Sequence, residues 1–560
     1  MSMQLQQVNE SFSVSAQLAL QDVQVLAEKG VKSVICNRPD GEAADQINVT
    51  EFETAAAAAG LEMVYLPVLP GHFDSENVDA FLSAMERLPA PIHAYCRTGT
   101  RSITLWALYQ RRLGVPAQQL LASAKRCGYD LSNALHLAAD DKPGDNAPYD
   151  ILIVGAGAAG ISAASSLLSR VKDLRVAIVD PAEVHYYQPG WTLVGAGIFS
   201  QRDTVKTMAS LIPEGVEWIK AAVGAFDPQN NRVLLENSRP LHYRRLIVAP
   251  GIKLDWHGID GLVETLGRNG VTSNYRFDLA PYTWKLVSTM TSGRAVFTQP
   301  PMPIKCAGAP QKALYLSGDH WLRSGVLNNL DIDFFNAGEV LFGVKDYVPA
   351  LSEYIEKYRA QVHYGHRMVR IDGEAKKAWF ETSDATGDKQ QVETDFDMIH
   401  VCPPQCAPDF VRESELADAA GWVDVDQNTL RHKRFNNIWG LGDAMNAPNA
   451  KTAAAARVQA PIVANNVLED MGLATGVAHY NGYGSCPLTV ERGKIVLAEF
   501  GYGGKLLPSF PQWVINGRRP SRLAWILKEK ILPPVYWKAM LKGKEWMVDP
   551  EQTKNRTSGS

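Results

Sequence analysis

Three stretches of this chain combine residue types that can do chemistry. The first runs Tyr149-Asp-Ile-Leu-Ile-Val-Gly-Ala-Gly-Ala-Ala-Gly160 and resumes as Val176-Ala-Ile-Val-Asp180. Gly155 permits a tight turn, Gly157 lets backbone approach a pyrophosphate, and Gly160 lets helix and strand pack closely. Asp180 lies twenty residues after Gly160, at the end of an apolar run, where a carboxylate can hold a ribose hydroxyl. The second is Cys96-Arg-Thr-Gly-Thr-Arg101-Ser102. A cysteine in a loop that opens a helix faces converging backbone N–H groups and the positive helix end, which favour a thiolate or a bound anion. The third is Lys305-Cys306-Ala-Gly-Ala-Pro-Gln-Lys312, preceded by Gln299-Pro-Pro-Met-Pro-Ile. Prolines stand where a second pyrophosphate loop would need glycines and free N–H groups, so nicotinamide binding is lost there and a cysteine gained. Taken by itself, each of these cysteines is also compatible with an inert packed thiol.

The elements around these residues alternate. In the N-terminal stretch, residues 14–29 read as amphipathic, Val31–Cys36 as a strand, Glu51–Gly60 as a helix and Glu62–Val68 as a strand. Val78–Leu88 reads as a helix, Pro91–Tyr95 as a strand and Ile103–Leu113 as a helix. Such alternation predicts a parallel sheet with helices on both faces. Four apolar residues before Gly155 predict a strand buried on both faces, and the helix over 158–170 aims its positive end at the pyrophosphate. Tyr243-Arg-Arg-Leu-Ile-Val-Ala-Pro-Gly251 and Asn437-Ile-Trp-Gly-Leu-Gly-Asp443 are two further strands closing on Gly or Gly-Asp, and a helix follows Lys451. The predicted class is α/β. Residues 1–140 form an N-terminal α/β domain, 141–148 a linker, and 149–280 a first Rossmann domain. A second Rossmann-like domain occupies 281–400, and 401–500 completes the first and carries Cys486. Residues 501–550 form amphipathic helices, and 551–560 a disordered tail.

Composition narrows the function classes. At 560 residues the chain exceeds a single core, and a net charge of −4 gives no support to a nucleic-acid binder. Seven cysteines in this length are no secreted disulfide framework, and their spacing matches no zinc site, so no metal is expected. Neither an export signal nor a long uninterrupted apolar run is visible. Between Lys505 and Glu545 nine Lys/Arg face two Glu, interleaved with Phe510, Trp513, Trp525, Tyr536 and Trp537. Ser521–Leu532 and Val535–Leu541 read as short helices split by Pro533-Pro534. Basic, Trp-bearing helices of this kind lie in a bilayer interface, or alternatively dock on the protein's own core. The expected location is peripheral, on the cytoplasmic face of a bacterial inner membrane.

Several motifs carry resemblances. The Cys96 loop, with Asn37-Arg-Pro-Asp-Gly-Glu42, resembles phosphatase-like domains fused to sulfur-dioxygenase-type metallohydrolases. With six residues from Cys96 to Arg101, against seven in tyrosine phosphatases, the loop is similar to rhodanese sulfurtransferases. That resemblance implies sulfur transfer by Cys96 and Arg101, with phosphatase action or a retired domain as alternatives. Cys36 and Cys127 read as packed thiols. The Gly-Asp elements are similar to those of two-dinucleotide-domain flavoproteins, which implies FAD, with Gly251, Asp443 and Lys451 added to the cofactor residues. His185-Tyr-Tyr-Gln-Pro-Gly-Trp191, Lys-Cys-Ala-Gly-Ala-Pro-Gln-Lys312 and Tyr480-Asn-Gly-Tyr-Gly-Ser-Cys486 resemble the mitochondrial-type sulfide:quinone oxidoreductases. The resemblance implies Cys306 and Cys486 as a redox pair beside FAD and hydrogen sulfide as substrate. It further implies a ubiquinone-type or menaquinone-type acceptor, a sulfane-sulfur acceptor such as glutathione or sulfite, and a membrane surface, with room for a homo-oligomer. Cys402 and Cys406 depart from the pattern and read either as spare sulfur carriers or as structural thiols. The rival readings are a type II NADH:quinone oxidoreductase and a phosphatase-like regulatory module joined to a flavoprotein.

Overall fold

The computed structural model describes residues 5–43, 46–69, 73, 75–113, 115, 117–129, 131, 147–236, 239–383, 387–545, 548 and 551–553. Most of the expected linker, 141–146, and the end of the expected tail, 554–560, lie outside the described residues. The chain divides into two compact units, Met1–Pro148 with Ala222–His242, and Tyr149–Ala221 with Tyr243–Ser560.

In the first unit the strand order is Gln6–Asn9, Phe12–Ser15, Ile92–Tyr95, Ser33–Cys36, Glu62–Tyr65. The last four are mutually parallel, as the alternation predicts, while Gln6–Asn9 is antiparallel to Phe12–Ser15. The amphipathic reading of 14–29 divides in two. Phe12 and Val14 are drawn into the sheet's core, and a helix begins only at Leu20, where the Asp22 carboxylate accepts the Ala19 N–H at 2.8 Å. Helices cover both faces. Phe81 and Trp106 pack on Phe12 from one side, and Leu26 and Phe52 fill the core on the other. Residues 222–242 form an antiparallel meander of Val223–Asp227, Arg232–Leu235 and the start of Pro240–Val248.

The second unit holds two parallel sheets. The first orders Val216–Ile219, Val176–Val179, Tyr149–Val154, the end of Pro240–Val248, and Ile438–Gly440. All three Gly-terminated segments named from sequence therefore meet side by side. The second sheet orders Val271–Thr272, Met398–His400, Gly293–Gln299, Leu330–Asn336 and Gln361–Tyr364, with an antiparallel trio spanning Arg367–Asp395. The hairpin of Gly484–Glu491 and Lys494–Phe500 differs from expectation. It buries Cys486 and Leu488 in the second sheet's core, among Ala313 and Leu314 of helix Ala309–Arg323, rather than in the first domain. Its alternating apolar residues find their partner in that helix's inner face.

Two further expectations are corrected at the C-terminus. Pro533 and Pro534 do not divide two helices; they occupy the first turn of Leu532–Lys538, where missing N–H groups cost nothing. The irregularity falls before them, in a π-turn over Leu527–Ile531 that follows helix Arg522–Ile526. Glu551–Thr553, read as tail, pairs antiparallel with Val477–His479, a main-chain addition that requires no side-chain pattern. Among the described residues no helix is long and apolar enough to cross a membrane.

Candidate active site

The glycine loop shows why its residue types are fixed. Gly155 has φ +101°, and a Cβ there would fall 2.4 Å from the Ala249 carbonyl. A Cβ at Gly160 would fall 1.9 Å from the Gly155 carbonyl, so helix Ala158–Arg170 could not seat on the strand. At Gly157 a Cβ would meet open space, leaving room for a ligand against the backbone. Asp180 ends its strand with Oδ2 accepting the Ala156 N–H at 2.7 Å and Oδ1 the Ala182 N–H at 2.8 Å. Gly251 has φ +78° and open space beside it.

Asp443 lies in the turn after Ile438–Gly440, where burial raises its carboxyl pKa against the opposing charges of Lys451 and Lys305. The Lys451 ammonium donates to the carbonyls of Asp443 and Met445 at 2.7 and 2.8 Å and lies over the Trp422 ring. Its amine therefore fixes the turn that carries Asp443, and burial lowers its pKa to about 8.

The Lys451 carbonyl accepts the Cys306 N–H at 2.8 Å, joining this turn to the cysteine segment. Cys306 adopts φ +51°, a left-handed conformation that costs roughly 1–2 kcal/mol in a residue with a side chain. It sits just ahead of helix Ala309–Arg323, whose Ala309 N–H donates to the Cys306 carbonyl at 2.7 Å. Cys486, fully buried in its strand, packs with Cys306 in the same core. Both are free thiols. The neighbouring Cys486 thiol, then the Lys312 charge and hydrogen bond and the Lys528 charge, hold the Cys306 pKa well below the usual thiol range against burial. The Cys486 pKa is driven up by the same neighbour, with burial second. Of the two, Cys306 is the cysteine whose thiolate this setting favours.

Lys312 Nζ lies 2.9 Å from Cys306 Sγ, a turn inside the helix. Lys528, buried within the π-turn, has its pKa lowered to about 7 by burial and by repulsion from Lys312, against the pull of both cysteines. Its ammonium donates to the Pro189 carbonyl at 3.3 Å. Lys305 Nζ donates to Gln188 Oε1 at 2.5 Å, and burial lowers its pKa to about 8. Neither Lys312 nor Lys528 was singled out from sequence. Lys312 closes the Lys305–Lys312 segment, six residues after Cys306. Lys528 reads as one more surface charge in a basic stretch, and no local signal marks it as buried.

The other two thiols of this unit sit in different settings. Cys402 is buried beside Tyr275 and Gln405, and burial raises its pKa to about 12. Cys406 belongs to a short strand paired with Lys253–Leu254, with Arg412 Nη1 at 3.8 Å.

In the first unit Cys96 follows strand Ile92–Tyr95 and is fully buried, with the Gly99 N–H donating to its sulfur at 3.1 Å. Gly99 is left-handed at φ +88°, and a Cβ there would strike the Tyr129 hydroxyl at 2.0 Å. Arg101, on helix Thr100–Arg112, donates Nη1 to Glu42 Oε1 at 2.6 Å and to the Val68 carbonyl at 2.8 Å, and Nη2 to Glu42 Oε2 at 2.9 Å. Arg38 donates to the same carboxylate at 2.9 Å. The Arg101 hydrogen bond, then Arg38, lower the Glu42 pKa against burial. Glu42, missed from sequence as a partner, thus holds both guanidinium groups. Cys36 and Cys127 are buried, and burial raises both pKa values.

Two parallel nucleotide sheets, a glycine loop and a cysteine pair at a helix start define a flavoprotein of the disulfide-reductase class. The family described as pyridine nucleotide-disulphide oxidoreductase matches residues 149–300, and the beta-lactamase hydrolase-like protein, phosphatase-like domain, matches 4–112. The chain is 41% identical to sulfide:quinone oxidoreductase, mitochondrial, of Dictyostelium discoideum, across 70% of this chain and 86% of that one. It is 37% identical to the Mus musculus protein of the same description, across 76% and 94%. It shares its fold with the crystal structure of the Aquifex aeolicus sulfide:quinone oxidoreductase at TM-score 0.60 and 18% identity, across 72% and 97%. The chain belongs to the sulfide:quinone oxidoreductase family. Its cofactor is FAD, and the residues present fit it: open space at Gly157, a carboxylate at Asp180, and a buried acid at Asp443.

Proposed function

We propose that the chain oxidises hydrogen sulfide at Cys306 and Cys486 and delivers the electrons to a membrane quinone. The observation that carries this reading is that Cys306 and Cys486, 180 residues apart in sequence, pack in one core with Lys312 Nζ 2.9 Å from the Cys306 sulfur. In the oxidised enzyme the two sulfurs form a disulfide. Hydrosulfide attacks one of them, the S–S bond breaks, a new S–S bond forms to the incoming sulfur, and the other cysteine leaves as thiolate. Sulfide is oxidised to sulfane sulfur while the disulfide is reduced. The better leaving group is the cysteine whose thiolate is more stable. Cys306, held by Lys312 and Lys528, leaves, and Cys486 takes the persulfide. A thiol or sulfite acceptor takes the sulfane sulfur from Cys486 and leaves both cysteines reduced. FAD, when bound, would supply the two-electron acceptor for re-forming the disulfide and for passing the electrons to quinone.

Cys96 receives that sulfur, or processes a small persulfide released nearby, and a single chain raises the local concentration of the intermediate. The short loop and the engagement of Arg101 by Glu42 support a sulfur ligand over a full phosphate. The phosphatase-like description favours a second reading, phosphate-ester hydrolysis by the same cysteine. Phosphate release by the full chain, lost in Cys96→Ser, would select it. The exposed Trp513, Leu523 and Ile526, at 88, 52 and 48% exposure, with Arg518, Arg519 and Arg522 around them, support peripheral attachment to a bilayer.

The test is an anaerobic titration of the purified protein with sulfide, followed by quinone. Sulfide should reduce the flavin and quinone restore it, and Cys306→Ser or Cys486→Ser should abolish the first step. Flavin bleaching by NADH faster than by sulfide would transfer the assignment to NADH:quinone oxidoreduction.

A further inference from the structure

Ala156, inside the glycine loop, is held at both of its backbone polar groups. Its N–H donates to Asp180 Oδ2 at 2.7 Å, and its carbonyl lies 3.2 Å from His185 Nδ1. The other ring nitrogen, Nε2, lies 2.6 Å from the Tyr536 hydroxyl. A carbonyl can only accept, so the contact with Ala156 requires the proton on Nδ1. Nε2 is then the acceptor, and Tyr536 donates to it. Burial keeps the ring neutral, with its pKa lowered to about 4, so this single tautomer satisfies all three groups.

A trans peptide is planar, and its C=O and the following N–H point in opposite directions. Fixing the Ala156 carbonyl therefore fixes the direction of the Gly157 N–H. Gly157 is the glycine with open space at its Cβ position. A histidine outside the glycine motif thus aims a backbone donor within it.

Tyr536 comes from helix Leu532–Lys538 and packs against Tyr187 at 4.9 Å between ring centroids. Beyond it the chain is tied to helix Ala158–Arg170. The Ser165 hydroxyl donates to the Leu541 carbonyl at 2.8 Å, and Arg170 Nη2 donates to Glu545 Oε2 at 2.8 Å.

We propose that His185 is a positioning residue for the pyrophosphate of the flavin dinucleotide, and that Tyr536 acts through it by setting its tautomer. Seating of the C-terminal segment then governs how tightly the dinucleotide is held. The proposal rests on the glycine loop being the FAD site.

The test measures the FAD dissociation constant of the full-length apoprotein by flavin fluorescence, with melting temperatures of the apoprotein alongside. Tyr536→Phe removes one hydroxyl and should weaken FAD about fivefold to tenfold, the equivalent of one hydrogen bond. His185→Phe should weaken it at least as much, and the double variant should be no worse than His185→Phe. His185→Asn keeps an amide N–H near the Nδ1 position and needs no partner to place its proton. In that background Tyr536→Phe should change nothing. Apoprotein melting should fall by no more than a few degrees in Tyr536→Phe and His185→Asn, the cost of one buried hydrogen bond. Additive losses, unchanged FAD affinity, or a fall in apoprotein melting large enough to account for the lost affinity would each overturn the proposal. Failure of the parent apoprotein to bind FAD would instead overturn the cofactor assignment itself.

Discussion

The Lys312 ammonium lies 2.9 Å from the sulfur of Cys306, and Cys486 packs in the same core from the strand that lies on the same helix. A charge-assisted contact and a neighbouring thiol therefore act on one atom that burial alone would keep protonated.

Lys312→Met removes the cation and should raise the Cys306 pKa by about 1–2 units, the usual effect of an adjacent opposite charge. The pH midpoint for alkylation of the reduced enzyme by iodoacetamide should move upward by that amount. Sulfide-dependent flavin reduction at neutral pH should fall roughly tenfold or more. An unchanged alkylation profile would remove Lys312 from the mechanism.

Lys528 opposes stability where it assists chemistry. Its folded pKa of about 7 lies below the unfolded lysine value of about 10.4, so between those values the unfolded chain binds more protons and stability rises with pH. Lys528→Met should stabilise the reduced protein at pH 7 by roughly 2–4 kcal/mol in urea unfolding, and the gain should shrink toward pH 10. The same variant should slow sulfide-dependent flavin reduction, because the Cys306 thiolate loses a counter-charge.

Glu42 joins Arg38 and Arg101 beneath the Cys96 loop. Glu42→Gln leaves two buried guanidinium groups under-compensated and should cost about 2–4 kcal/mol. The lowered folded pKa of Glu42 means that its contribution is complete above the unfolded carboxylate value of about 4.3 and disappears as pH falls through the folded value. Hydrogen exchange across Ile92–Arg112 in the full chain should therefore differ between variant and parent at pH 7, and the difference should shrink as pH falls below about 4.3.

Trp513, Leu523 and Ile526 project from the C-terminal surface. Their combined replacement by Ser should weaken liposome binding by about 100-fold or more, read by co-sedimentation, given about 1–2 kcal/mol per apolar side chain. Flavin reduction by sulfide should be unaffected, while turnover with vesicle-embedded quinone should slow. Equal co-sedimentation of variant and parent would refute membrane attachment through this surface.

The residues legible in sequence were those whose role is written in covalent geometry. Gly155 and Gly160 have backbone neighbours that exclude any Cβ, so spacing alone located the loop. The helix expected over 158–170 is observed as Ala158–Arg170, because a buried strand and three glycines fix where it must begin. Long-range contacts were not legible. Glu42 meets Arg101 across 59 residues and His185 meets Tyr536 across 351, and no local pattern encodes either approach. The C-terminal segment misled for a related reason. Its tryptophans gave an amphipathic pattern, yet Trp525 and Trp537 are buried in the protein while Trp513 is exposed. Periodicity reports that a face is apolar and leaves open what covers it.

The buried side of that segment reaches two places, the sulfur pair through Lys528 and the dinucleotide loop through Tyr536. A shortened version engineered for easy purification, ending before Ser521, would therefore discard more than exposed apolar surface. It would strip a counter-charge from the thiolate and a partner from the histidine. The shortened enzyme would be a poorer catalyst in bulk water, even with a water-soluble quinone supplied.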